Sequence, residues 1–369
     1  MENRSQVGGC GSVERRGDRM PSVAARRMSR RRGGCRWVVM ALRDDLLRRV
    51  LERPEFRDDP PVLVDLGASK EFYPKWEPFA EYAVCVAFEP DDRGRAHLEE
   101  GSPYRRLHVR HDVVAAEDSD DRPFYLTKVP GDSSLLEPAN EEAAKWGHGD
   151  NFQVEDRVTC PTVTVREVLD DLDLDRVDWF KANTQGTDLR LFRSLDPARR
   201  DRVLVAEFQP GIMDAYVDED KLPAVLAEID DRELWTARLE VGRGQRIALE
   251  DADRWLSRVE RSLLSPLSSR SGRSPVSADV TAFSTFPEGR FGRREHLLGW
   301  VFSTTEGLHG FALSLAADGR ERFDDPVFEE LLAHSRRRLR SDYLTTVPRL
   351  AAEALSKPGR AVSAITNLF

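Results

Sequence analysis

Two apolar runs, each closed by an acid, set the frame of the chain. Residues 62–64 (V-L-V) meet Asp65 and a small-residue turn, Gly67-Ala68-Ser69; residues 84–88 (V-C-V-A-F) meet Glu89. Between them Phe72, Trp76 and Phe79 recur at helix-like spacing. The pattern predicts strand, turn, helix, strand. That is the opening unit of a doubly wound sheet, whose ligand lies across the carboxyl ends of the strands. Ahead of it, 41–52 reads as an amphipathic helix. Behind it, His97 and Leu98 fall on a second short helix and 107–109 on a third strand.

Further along, 124–129, 158–165, 177–180, 203–208 and 234–239 have the apolar content of strands. Gly131-Asp132-Ser133-Ser134 is a turn, and 137–148 a loop or short helix carrying Trp146. Thr164-Val165-Arg166-Glu167 has the spacing of a capping box, with Leu169 and Leu172 facing inward on the helix it opens. Helices are also expected after the polar turn at 183–187 and over 222–229, 326–343 and 350–355, while 297–302 is apolar. Residues 264–279, rich in Ser, Arg and Pro, read as linker. The expectation is an α/β fold with a mostly parallel, doubly wound sheet and helices on both faces. Its divisions are a basic arm, 1–40; the sheet domain, 41–260; a linker or mobile loop, 261–292; and a mainly helical C-terminal extension, 293–369.

Composition narrows the partners. The 369 residues suffice for a full-sized core. A net charge of −9 argues against general nucleic-acid affinity. Residues 1–36 are the exception: ten Arg against Glu2, Glu14 and Asp18 give about +7, leaving about −16 on the rest. Their Gly, Ser and Arg content predicts disorder. This stretch is either a basic arm for nucleic acid or membrane or lies ahead of the true start, at Met28 or Met40. Its apolar fragment at 37–40 is too short for a signal peptide. Cys10, Cys35, Cys85 and Cys160 form no C-x-x-C pair, which suits a reducing cytoplasm without structural zinc. No metal is expected, and no membrane span, since no apolar run approaches roughly 18 residues.

The turn selects among ligands. A nicotinamide cofactor calls for G-x-G-x-x-G, to bring the backbone against a pyrophosphate. Here the turn has one glycine, Gly67, and Glu71 would repel a pyrophosphate. Glu89, roughly 20 residues past the turn, is placed to accept both hydroxyls of a ribose. A nucleoside without phosphates fits better, S-adenosylmethionine being the common one. The plain alternative is an α/β sheet with no cofactor.

V-D-L-G-A-S, F-E-P, G-D-S-S-L, T-V-R-E-V-L-D-D-L, V-D-W-F-K-A-N-T-Q-G-T-D-L and V-L-V-A-E-F follow one another over residues 60–215. In order and spacing this resembles the FkbM-type methyltransferase family. The K-x-x-x-Q-G-x-D piece and D-L-G-A after the first strand are the most telling. Residues 1–40 and about 240–369 lie outside the resemblance. It implies a Rossmann-like class I methyltransferase fold and S-adenosylmethionine as cofactor. It also implies transfer to oxygen, on a hydroxyl of a sugar, glycan or secondary metabolite. It sets Asp65, Gly67 and Ser69 beside the methionine part of the cofactor, Glu89 on the ribose and Asp112 near the adenine amine. Lys181, Asn183, Gln185 and Gly186 line the site, and Asp188 opens the next helix. The chain departs from the family pattern at Ser69, where Asn is usual, and at Glu71, near a usual Gly. It departs again at Asn183, where Asp is usual, and at Asp188, where Glu is usual. A neutral amide only hydrogen-bonds, whereas an acid can take a proton or hold a cation.

Methyl transfer to a hydroxyl needs alignment and removal of a proton. His148, in W-G-H-G-D-N-F, is the first base candidate, since its ordinary pKa suits neutral pH; the bland reading is a solvent-exposed loop histidine. Lys181 orients the acceptor, or pairs with Asp178 or Asp188. Glu207 touches the acceptor, or caps backbone donors at a strand end. Ser133 and Ser134 contact ligand or only shape a turn, and His111 contacts adenine or is merely exposed. Two functions follow. One is an active O-methyltransferase with a small-molecule or glycan acceptor. The other is a catalytically impaired, methyltransferase-like binding or partner module.

Overall fold

The computed structural model describes residues 45–68, 72–90 and 101–356. The arm at 1–40, Ser69, Glu71 and the helix expected at His97 and Leu98 lie outside them. The strands are β1 (Val62–Leu66), β2 (Val84–Phe88), β3 (Arg106–Arg110), β4 (Val113–Val114), β5 (Ser119–Thr127), β6 (Val154–Val163), β7 (Trp179–Ala182), β8 (Val205–Phe208), β9 (Leu234–Gly244) and β10 (Ser274–Ser284). Seven of them form the main sheet, in the order β3-β2-β1-β7-β8-β10-β9. Neighbours run parallel except at β10, which is antiparallel to β8 and β9. The strand order reverses between β1 and β7, so the crevice at their carboxyl ends is where such a sheet takes a ligand. The strands expected around 124–129 and 158–165 do not join it; with β4 they make a separate sheet, β4-β6-β5.

The helices that cover the main sheet are α1 (Asp45–Leu51), α2 (Val165–Asp171), α3 (Asp188–Ser194), α4 (Leu222–Asp231), α5 (Arg258–Ser271), α6 (Arg293–Thr305), α7 (His309–Arg322) and α8 (Val327–Ser356). Alternation along the strands sorts side chains to two faces. Val64, Val86, Phe88, Phe180 and Phe208 pack with α2, α3 and α4. Leu63, Cys85, Trp179, Val205 and Phe283 pack with α1 and with α6 to α8. Trp179 centres the second face, with the rings of Trp76, Phe79, Phe283 and Phe302 at 6.0, 5.9, 6.3 and 4.9 Å. Helix α2 opens on the expected capping box: Glu167 N donates to Thr164 Oγ1 (3.2 Å) and Thr164 N to Glu167 Oε2 (3.0 Å).

Three expectations are corrected. No α-helix lies between β1 and β2 among the described residues; 74–76 and 80–82 form two short 3-10 turns. Pro74 and Pro78 each lack the N–H that an α-helix would use, so Phe72, Trp76 and Phe79 reach the core from turns. The linker expected at 261–292 instead carries most of α5 and β10, which sits inside the sheet. Its Ser and Arg content masked an alternating run in which Ala278, Val280 and Ala282 are buried. The helices expected at 326–343 and 350–355 are one, α8.

The last three helices are tied to the sheet by charge as well as by packing. Arg294 of α6 forks onto Asp178 just before β7, both bonds at 2.9 Å. Asp178 also accepts Val62 N at 2.8 Å, and Arg294 Nη2 donates to Pro60 O at 3.2 Å. Burial would lower the Arg294 pKa, but Asp178 and Asp59 hold it well above the ordinary arginine value.

Candidate functional site

The polar chemistry of the molecule begins one residue inside the carboxyl edge of the main sheet. Register sets Asp65 beside Lys181, Lys181 beside Glu207, Glu207 beside Thr281 and Thr281 beside Arg238. The five form a row across β1, β7, β8, β10 and β9. Lys181 does not pair with Asp178 or Asp188. Its Nζ lies 2.5 Å from Asp65 Oδ1, 3.4 Å from Gly67 O and 5.2 Å from the ring centre of Tyr73.

Glu207, expected to touch an acceptor or cap backbone, is filled by side chains. Tyr73 OH and Lys75 Nζ each donate at 2.7 Å, Trp179 Nε1 at 2.8 Å and Thr281 Oγ1 at 3.3 Å. Burial alone would raise its carboxyl, but Lys75, Tyr73 and Trp179 outweigh that and hold it below the usual value. Lys75 also reaches Glu306 Oε2 at 3.5 Å, and Arg238 meets the same oxygen at 3.4 Å. Burial keeps the Glu306 carboxyl above its usual value, although Lys75 opposes this. Lys75, drawn by two carboxylates, stays above its own usual value despite burial. The cluster therefore has one carboxylate fixed as an anion and another that takes a proton more readily, both sharing one ammonium.

The turn after β1 closes on the end of β7. Gly67 has φ +83°, and a Cβ there would lie 2.4 Å from Asn183 O. Asn183 N donates to Leu66 O at 3.0 Å. Asn183 Oδ1 accepts from Gln185 Nε2 at 3.1 Å. Gln185 is left-handed at φ +56°, a conformation a non-glycine residue keeps only when its surroundings force it. Ser134 Oγ donates to Gln185 O (2.8 Å) and accepts Leu136 N (3.0 Å); Ser133 Oγ accepts Thr127 N (3.1 Å). Both serine hydroxyls thus bond within the protein, and that of Ser134 supports Gln185. Asp188 is fully buried and accepts Thr184 N (2.8 Å), Thr184 Oγ1 (2.7 Å) and Gln209 N (2.6 Å), which ties the ends of β7 and β8. Burial raises its carboxyl, and these donors offset only part of the rise.

Glu89 is buried at the end of β2, and its N–H donates to Arg110 O at 3.0 Å. Asp112 follows β3 with its carboxylate 38% exposed and held by Arg110 at 3.0 Å; His111 is exposed. His148 is not brought to Lys181 or Asn183. Its ring lies between Trp146 and Phe152, at 6.2 and 6.1 Å. Phe152 then meets Tyr216 at 5.6 Å, and Tyr216 OH reaches Gln185 Oε1 at 3.3 Å. Burial lowers the His148 pKa, and its Nδ1 is buried without a partner among the described residues.

Tyr73, Lys75, Thr281, Arg238 and Glu306 escape a reading of the sequence. One signal was available: V-D-L, F-K-A and A-E-F each place a charge at the same depth in an apolar strand, as lateral neighbours do. Among the described residues no group of three or more His, Cys, Asp or Glu is arranged to hold a metal ion, and no helix is long and apolar enough to cross a membrane. Compared with family models, curated proteins and solved structures, the chain matches none.

Proposed function

We propose that this chain is an S-adenosylmethionine-dependent O-methyltransferase of the FkbM type, on a Rossmann-like class I fold. The observation that carries the reading is the contact of Gly67 with the Asn183 carbonyl, at the point where strand order reverses. It brings the turn after β1, the end of β7 and the buried acids Asp65 and Glu89 to one edge. The residues fit the cofactor at both ends. Asp65 and Gly67 stand at its methionine end, Glu89 where a carboxylate takes ribose hydroxyls, and Asp112 at the adenine edge. When bound, S-adenosylmethionine supplies the methyl group. Asn183 and Gln185 face the acceptor, a hydroxyl of a sugar, glycan or secondary metabolite in the cytoplasm. The Asn183 NH₂ donates to the acceptor oxygen and takes no proton from it. His148, set between Trp146 and Phe152 and apart from Lys181 and Asn183, is not carried forward as the base.

One observation favours the second reading, a methyltransferase-like binding module. The 3-10 turns after β1 leave no helix N-terminus of useful length facing the ligand among the described residues. Calorimetric titration with S-adenosylmethionine and NAD tests the cofactor, and S-adenosylhomocysteine release with hydroxylated acceptors separates enzyme from module. Glu89→Ala is expected to weaken S-adenosylmethionine binding by about 1.5–3 kcal/mol, the scale of a hydrogen bond to a charged group. Tighter binding of NAD by the wild type refutes the proposal.

A further inference from the structure

Helix α8 has a face that neither the core nor the sheet edge uses. Phe328, Leu331, His334 and Ser335 lie along one side of it and are buried, and Trp300 Nε1 donates to Ser335 Oγ at 2.8 Å. At about 3.6 residues per turn, Arg336, Arg337, Arg340, Tyr343 and Leu344 fall on the other side, within an arc of about 120°. The three arginines are exposed, and among the described residues none has a hydrogen bond, ion pair or ring partner. Residues 331–341 hold four Arg and no acid, in a chain of net charge −9. Tyr343 and Leu344, one turn on, are 62% and 74% exposed. Arg337 also lines a cavity of about 520 Å³, together with Asp45, Arg49, Glu330, His334 and Arg338. Arg338 Nε donates to His334 Nε2 at 3.4 Å. Arg49 meets Glu330 at 2.7 Å, and Arg48 meets Asp45 at 3.7 Å. Both acids of the cavity therefore have partners, and the charge left over is positive. Residues 1–36, with ten Arg against three acids, enter the described fold at Asp45, on the lining of that cavity.

We propose that this face of α8 docks the protein on an anionic lipid bilayer. The guanidinium groups of Arg336, Arg337 and Arg340 donate to lipid phosphates, and Tyr343 and Leu344 enter the boundary between headgroups and acyl chains. Tyrosine suits that depth, with an apolar ring and a polar tip. At physiological salt the Debye length is about 8 Å, so the local charge of the face decides the encounter and not the net charge of the chain. A nucleic acid would engage the arginines and leave Tyr343 and Leu344 in water. A second copy packed face to face would cover the apolar pair but bring like charges together. A lipid surface of negative charge meets both halves of the face. No residue of the sheet edge takes part, so the inference goes beyond the methyl-transfer reading and stands without it.

The test is flotation of the full chain with vesicles of phosphatidylcholine alone and of phosphatidylcholine mixed with phosphatidylglycerol. The wild type is expected to float with the mixed vesicles only, and to be released at about 1 M salt, where the Debye length is about 3 Å. The triple variant Arg336→Gln/Arg337→Gln/Arg340→Gln is expected to bind the mixed vesicles about a hundredfold more weakly. Tyr343→Ser/Leu344→Ser is expected to lose about tenfold, and Arg336→Lys/Arg337→Lys/Arg340→Lys to keep most of the binding. All five side chains are exposed, so the melting temperature should not move. If the glutamine variant does not fold, the lysine variant and the salt titration of the wild type carry the charge arm of the test. Equal flotation with both vesicles, no flotation, or undiminished flotation in both the glutamine and the serine variants overturns the proposal. So does tighter binding of a DNA oligonucleotide than of the mixed vesicles, lost in the glutamine variant and kept in the serine variant, which would make the partner a nucleic acid. Dimerisation seen by light scattering and lost in the serine variant would put a second copy on the face and overturns it too.

Discussion

Replacing Lys75 by Met removes the one cation that Glu207 and Glu306 share. Lys75 lies 2.7 Å from the first and 3.5 Å from the second, with its side chain 26% exposed. Breaking a buried charge pair by removing one partner costs about 3–5 kcal/mol, because the remaining charge stays uncompensated. The loss should depend on pH in a definite direction. Glu207 is held below its usual value, so its contribution is present above the unfolded value and is lost as pH falls through the folded one. Glu306 is held above its usual value, so its contribution is present below the unfolded value and is lost as pH rises through the folded one. Without Lys75 both carboxyls move up, since burial then acts with less opposition. The variant is therefore least stable relative to wild type at about pH 8 and recovers toward about pH 5, as both sites protonate. Urea denaturation of both proteins across that range measures the difference. A loss that is constant with pH, or below about 1 kcal/mol at the alkaline end, refutes the assignment of Lys75 as the shared counter-charge.

Gly67→Ala forces a left-handed backbone on a residue with a Cβ, at about 1–2 kcal/mol, and presses that Cβ on the Asn183 carbonyl. Reduced stability together with weakened S-adenosylhomocysteine binding is expected; unchanged binding would detach the turn from the site. Arg294→Met leaves Asp178 buried without its fork and is expected to cost about 3–5 kcal/mol in denaturant unfolding. A loss under about 1 kcal/mol would show that Val62 N alone satisfies Asp178.

The strands at the sheet's centre were legible because burial on both faces gives unbroken apolar runs, as at 62–64, 84–88 and 203–206. The capping box was legible because Thr164 and Glu167 act within one turn. The segment after β1 misled because Phe72, Trp76 and Phe79 keep helical spacing while Pro74 and Pro78 forbid the helix. Strand β10 was hidden because Ser274, Ser277, Asp279, Thr281 and Ser284 interrupt its apolar positions. At the site, Asp65, Gly67, Glu89, Lys181 and Asn183 sit on or beside strand ends, where local pattern speaks. Lys75 and Glu306 do not: one comes from a turn and the other from the end of α6, and only the fold brings them to Glu207. His148 sits beside Gly244 at the end of β9, and nothing local to W-G-H-G-D could say how Phe152 and Tyr216 come between it and Gln185.

The tie between Arg294 and Asp178 has a consequence for the chain as it is made. The two residues are 116 positions apart. At about 5–20 residues per second, Arg294 follows Asp178 by roughly 6–23 s. For that interval the sheet face around Trp76 and Trp179 lacks Trp300 and Phe302, which belong to the same core. A nascent chain is thus born with one side of its sheet uncovered, and its most apolar surface stays sticky until the last fifth arrives. A piece cut after residue 215 or 260, where the recognisable pattern ends, would keep that state permanently. Such a piece is expected to aggregate, because the late helices serve as the wall on which the early strands close.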